Sequence, residues 1–168
     1  MTTLTGTAFV FGDDVNTDVM APGLYFKAPI AEMARHCMEA IDPAFAATVQ
    51  PGDIVVAGDN FGIGSAREQA PMALQQLGVG VILARSFGRI FYRNALNFGI
   101  PALIWPDSGD ISAGDRLRVD PVAGQIENLT DGQQYRVAGL PEHLMAMVDA
   151  GGLMPYLKSR LAAKESHK

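Results

Sequence analysis

The chain has 168 residues, a hydrophobic fraction of 48% and a formal net charge of −5. That length suits one domain with a good core, and the apolar content is that of a globular chain, not a disordered one. The acidic balance argues against nucleic acid or an anionic membrane surface as the main partner.

At the amino end, Met1-Thr2-Thr3-Leu4-Thr5 lacks the positive start and long apolar segment of a secretory signal. No apolar run approaches the length needed to span a bilayer, so a soluble, cytoplasmic protein is expected. Thr7 to Phe11 reads as the first strand, and Gly12 to Ala28 as a long irregular loop. Loops of that length are uncommon in compact domains and often functional. Ile30 to Met38 reads as a helix carrying the single cysteine, Cys37. Asp53-Ile54-Val55-Val56-Ala57 is an apolar run of strand length, and Ala66, Ala70, Ala73, Leu74 and Leu77 form a helical stripe after it. Next come a strand over Gly80 to Ala84 and a helix from Phe87 to Phe98, stopped by Gly99 and Pro101. A further strand covers Pro101 to Trp105. This alternation implies parallel pairing in the middle of the chain. Leu117 to Asp120, Gln125 to Asn128 and Gln134 to Val137 read as short antiparallel strands, their turns carrying Pro121, Gly124, Asp131 and Gly132. Helices over Pro141 to Ala150 and Leu153 to Ala163 end a single domain spanning residues 1–163, with residues 164–168 expected as a disordered charged tail.

The segment Gly58-Asp59-Asn60-Phe61-Gly62-Ile63-Gly64-Ser65-Ala66-Arg67-Glu68-Gln69-Ala70-Pro71 places a hydroxyl, a guanidinium and several glycines where strand gives way to helix. Glycines permit a tight turn and close approach of a ligand to the backbone. Ser65 at a helix start would meet free N–H groups and a dipole that favour negative charge. The same residues fit a capping box, with Ser65 as N-cap and Glu68 reaching back to its N–H. Arg85, Arg89 and Arg93 recur every four residues, a spacing that serves a substrate, a partner or simply a solvated helix face. His36, His143 and His167 are scattered without a ligand pair at helical spacing, so no metal site is expected.

Gly58 to Pro71 resembles the signature of the mobile fourth domain of aconitase-type hydro-lyases. In stand-alone form that domain is the small subunit of the isopropylmalate isomerases, or 3-isopropylmalate dehydratases. Asn16-Thr17-Asp18-Val19-Met20, followed by Pro22, Gly23 and Tyr25-Phe26-Lys27-Ala28, is similar to the family's substrate loop. Val81 to Ala95 resembles the strand and helix after the signature, so the likeness runs over about residues 8 to 105 in order.

The resemblance implies an α/β fold: a swivelling β/β/α domain of the aconitase and isopropylmalate isomerase small-subunit type, a mixed sheet with flanking helices. It implies removal and re-addition of water, interconverting 2-isopropylmalate and 3-isopropylmalate in leucine biosynthesis. Ser65 then aligns with the family's serine base. Arg67, Lys27, Gly64 and Ala66 fall at substrate-binding positions, and Asp18, Thr17, Tyr25 and Glu68 at supporting ones. The family uses a [4Fe-4S] cluster, which is normally held by several thiolates. With one cysteine, this chain is expected to bind no cofactor itself; the cluster belongs to a cysteine-bearing large subunit, the partner in a heteromeric enzyme acting on a small hydroxy-di- or tricarboxylate.

Two departures bear on the substrate. The family commonly reads Gly-Ser-Ser-Arg-Glu-His where this chain has Gly64-Ser65-Ala66-Arg67-Glu68-Gln69. Ala66 removes a hydroxyl and Gln69 an imidazole, while the base position is kept. Homoaconitate, citramalate or a methyl-substituted malate would fit the same argument. A reading of another class is a non-catalytic anion-binding or regulatory module that uses Ser65 without chemistry.

Overall fold

The computed structural model describes residues 3–167. Met1 and Thr2, part of the amino-terminal segment read above for a signal, and Lys168 of the expected tail lie outside them. The strands are β1 (Leu4–Val10), β2 (Ile54–Ala57), β3 (Val81–Ala84), β4 (Ala102–Ile104), β5 (Arg116–Asp120), β6 (Gln125–Asn128) and β7 (Gln134–Arg136). They form one mixed sheet in the order β4-β3-β2-β1-β5-β6-β7. This is the mixed α/β architecture expected from the sequence.

β1 is where the sheet changes character. Its second half pairs parallel with β2, Ala8 opposite Ile54 and Val10 opposite Val56. Its first half pairs antiparallel with β5, Leu4 opposite Val119 and Thr7 opposite Arg116. The strand therefore begins three residues earlier than the apolar run Thr7 to Phe11 suggested, because Leu4 to Gly6 are held by β5. Parallel pairing continues from β2 to β3 to β4, and antiparallel pairing from β5 to β6 to β7.

All four residues of β2 and of β3 are buried, as expected of parallel strands covered on both faces. Val55 and Ala57 belong to one core with Phe11, Met20, Met33, Phe45, Leu74 and Phe91. Ile54 and Val56 belong to the other, with Trp105, Leu117, Val119, Ile126, Met145 and Val148. The helices are α1 (Thr17–Met20), α2 (Ile30–Ala34), α3 (Phe45–Thr48), α4 (Gln69–Gln76), α5 (Arg89–Asn97), α6 (Glu142–Asp149) and α7 (Leu153–Glu165). Lys164 and Glu165, expected in a disordered tail, are the last residues of α7.

Three further differences from the sequence reading are local. The helix expected to run to Met38 ends at Ala34, and Met38 takes a left-handed φ of 65°. The loop Gly12 to Ala28 contains α1 and a short 3-10 turn at Gly23–Tyr25. Asn16 caps α1, its Oδ1 accepting from Val19 N–H at 3.1 Å, and Asp18 sits in the first turn where the dipole favours an anion.

The third difference concerns Ser65. α4 begins at Gln69 with Glu68 at its N-cap position, and no side chain caps it. The capping box of Ser65 and Glu68 does not form. Pro71 gives the reason. In a helix starting at Ala66 its missing N–H and its ring would fall against the carbonyl of Arg67, an interior i−4 partner. With the start at Gln69, Pro71 is the third helical residue, where the N–H is an orphan in any case.

Candidate active site

Three loops leave the carboxyl ends of β1, β2 and β3, where open α/β sheets gather their ligands. They are joined chiefly by backbone hydrogen bonds. Gly58 N–H donates to Gly12 O (3.1 Å), Asp14 N–H to Asp59 O (2.8 Å), Gly62 N–H to Val15 O (2.7 Å) and Thr17 N–H to Ile63 O (2.9 Å). On the other side Phe61 N–H donates to Ser86 O (3.0 Å) and Gly88 N–H to Phe61 O (2.9 Å). The loop after β2 is thus clamped between its neighbours before it reaches Ser65.

Two glycines make that clamp possible. Gly62 has φ +85°, and a Cβ there would lie 2.2 Å from Cγ of Phe91. A Cβ on Gly88 would lie 2.6 Å from the carbonyl oxygen of Gly62. Any side chain at either place would separate α5 from the Ser65 turn.

Ser65 stands exposed just beyond. Its carbonyl accepts from Thr17 Oγ1 at 2.9 Å and from Arg67 N–H at 2.8 Å, so its main chain is fixed. Its hydroxyl has no hydrogen-bond partner among the described residues, and the amides of Gly64, Ser65 and Ala66 donate to no acceptor there. A hydroxyl free to meet substrate, beside three open N–H donors, suits the development of negative charge on oxygen.

Arg67 is partly buried and tightly held. Its Nη1 lies 2.5 Å from Oδ1 of Asp18 and 3.2 Å from the carbonyl of Ala21. The guanidinium carbon sits 4.3 Å from the centre of the Phe26 ring. Arg67 thereby ties α1, the 3-10 turn and the Ser65 turn together. Tyr25 stacks on His36 with ring centres 3.7 Å apart and planes 7° apart, and His36 Nδ1 is 2.6 Å from Glu39 Oε2. These contacts buttress the early loop from behind. Lys27 is exposed next to Phe26 and makes no ion pair with any described residue. Glu68 is exposed and makes no hydrogen bond with Ser65.

Thr17, Gly64, Ser65, Ala66 and Arg67 line one cleft of about 340 Å³. Asp18, Tyr25 and Lys27 adjoin it through Arg67 and Phe26 without lining it. Ile63, Ile90 and Phe91 supply an apolar wall, and α5 adds Arg89 from its first turn and Asn94 from its second. Sequence reasoning placed Arg89 only in a repeated spacing and passed over Asn94. A larger depression, about 430 Å³, lies over β5 to β7, where Arg118 and Glu127 face each other at 3.7 Å; no candidate residue lines it.

An iron–sulfur cluster does not fit the residues of this chain. Cys37 is its one cysteine, and burial pushes the thiol well above the ordinary range, which opposes a thiolate ligand. Among the described residues no three His, Cys, Asp or Glu side chains lie close enough together to hold a metal ion. No helix among them is long and apolar enough to cross a membrane.

Residues 17–107 match the aconitase C-terminal domain family. The chain is 47% identical to the 3-isopropylmalate dehydratase small subunit of Moorella thermoacetica over 158 residues, covering 93% of this chain and 95% of that one. It is 46% identical to the small subunit 2 of the same enzyme from Archaeoglobus fulgidus, covering 92% and 94%. The crystal structure of a 3-isopropylmalate dehydratase from Methanocaldococcus jannaschii superposes with a TM-score of 0.93 at 38% identity, over 99% of this chain and 100% of that one.

Proposed function

Since the chain belongs to the aconitase C-terminal domain family and, within it, to the 3-isopropylmalate dehydratase small subunits, we propose that it is the half of a heteromeric hydro-lyase that carries the serine base. The reaction is the interconversion of 2-isopropylmalate and 3-isopropylmalate by dehydration and rehydration, a step of leucine biosynthesis. The partner is a large subunit, and the [4Fe-4S] cluster is assigned to its cysteines. A cytoplasmic location agrees with such a pathway.

The carrying observation is the exposed, unpartnered Ser65 hydroxyl at the rim of a cleft with three open backbone amides. As an alkoxide, Ser65 takes the proton from the carbon next to a substrate carboxylate. The hydroxyl leaves the neighbouring carbon as hydroxide, and the electron pair of the broken C–H bond becomes the second bond of the alkene. Rehydration returns the proton and places hydroxyl on the other carbon. The amides of Gly64 to Ala66 stabilise the anionic oxygen, and Arg67 adds positive charge while anchoring the turn. Lys27, held next to the Phe26–Arg67 stack, faces the variable end of the substrate as a point charge. Ala66 leaves carboxylate contacts to cations and backbone donors, since it has no hydroxyl to give.

The test is hydration of the dehydrated isopropylmalate alkene after anaerobic mixing with the large subunit. Activity should require both chains and vanish in Ser65→Ala, with the melting temperature of the small subunit unmoved because the hydroxyl bonds to nothing among the described residues. Full activity in Ser65→Ala would instead leave this chain a non-catalytic anion-binding module.

A further inference from the structure

We propose that Arg89 binds a carboxylate of the substrate, a role distinct from that of Arg67; the assignment rests on the hydro-lyase reading above. Two cations, Arg67 and Arg89, line the Ser65 cleft, and no Asp or Glu side chain lines it. In a chain of net charge −5 this is a local reversal of sign, and it selects an anion.

The two arginines differ in what they already do. The Arg67 guanidinium is occupied by Asp18, by the Ala21 carbonyl and by the Phe26 ring. Arg89 is exposed and makes no ion pair or hydrogen bond with any described residue. Its fork of donors is available for paired contacts to a carboxylate. Neighbouring Arg85 lies 4.0 Å from Asp59, and neither it nor Arg93 lines the cleft. The four-residue repeat is therefore three arginines in three settings.

Placement is precise as well as available. Arg89 is the first residue of α5, and Gly88 before it packs so closely on Gly62 that no Cβ fits between them. The backbone that carries Arg89 is thus fixed against the backbone that leads to Ser65. A carboxylate held by Arg89 would set the reacting carbon of a small substrate over the serine oxygen, while Arg67 keeps the turn in place.

The experiment compares wild-type, Arg89→Ala and Arg89→Lys small subunits in the reconstituted two-subunit enzyme, using the hydroxydicarboxylate and its monoamides as substrate and competitors. A charge-assisted contact predicts a KM increase of roughly 10- to 100-fold in Arg89→Ala, a much smaller change in kcat and partial recovery in Arg89→Lys. Wild-type enzyme should bind one monoamide more weakly than the diacid, and Arg89→Ala should lose that discrimination. A purely structural role would not remove it. Unchanged KM and unchanged discrimination in both variants, with wild-type turnover intact, overturn this assignment alone. Absence of turnover in the wild-type pair overturns the hydro-lyase reading and this assignment with it.

Discussion

Replacing Thr17 by valine removes one hydroxyl and nothing else of consequence. Thr17 is 2% exposed, and its Oγ1 reaches the Ser65 carbonyl at 2.9 Å. The main-chain bond from Thr17 N–H to Ile63 O survives the change, and so does Arg67 N–H to Ser65 O. No buried acceptor is orphaned, so the loss is that of an ordinary hydrogen bond, about 0.5–1.5 kcal/mol. For a domain of this size that lowers Tm by about 1–6 °C. The effect on catalysis should be larger, because the lost bond is the side-chain hydrogen bond that joins the early loop directly to Ser65. A misplacement of about 1 Å at a reacting group costs on the order of 100-fold in rate. Differential scanning fluorimetry on the small subunit and steady-state kinetics on the reconstituted enzyme separate the two. A lowered Tm with unchanged kcat would refute the claim that Thr17 positions Ser65.

Gly62→Ala combines a left-handed φ of +85° with a Cβ 2.2 Å from Phe91 Cγ, and should cost roughly 2–6 kcal/mol, read as loss of Tm or of soluble expression. Cys37 should resist alkylation in the native chain and react on addition of urea, since its thiol is buried and held protonated. Its folded pKa lies above its unfolded value, so the unfolded chain loses this proton first; the associated stability is complete below about pH 8.5 and shrinks above it. Urea titrations at neutral and alkaline pH should show that fall, and Cys37→Ala should flatten it.

Much of the architecture was legible because the parallel strands are buried on both faces. Ile54 to Ala57 and Val81 to Ala84 are continuous apolar runs, which few other environments explain. The antiparallel strands were legible from their turns. The start of α4 was misread although its signal was present: Pro71 bars the earlier start, and the apolar stripe drew attention away from it. α1 was hidden because four residues are too few for periodicity, and only the Asn16 cap and Asp18 announce it. At the site, Ser65, Arg67 and Thr17 do meet in one cleft. Arg89 looked like one tooth of a solvated comb, because spacing along a chain says nothing of Gly88 pressing the helix start against a loop 26 residues earlier.

The three rim loops are fastened mainly main chain to main chain, and such fastening is indifferent to side-chain identity. Residues proposed to read the substrate, such as Lys27 and Ala66, can be exchanged without moving the backbone on which Ser65 is mounted. On the proposed roles, chemistry and recognition are separately adjustable in this scaffold: new substrates are within reach of a few exposed substitutions, whereas Gly62 and Gly88 admit none.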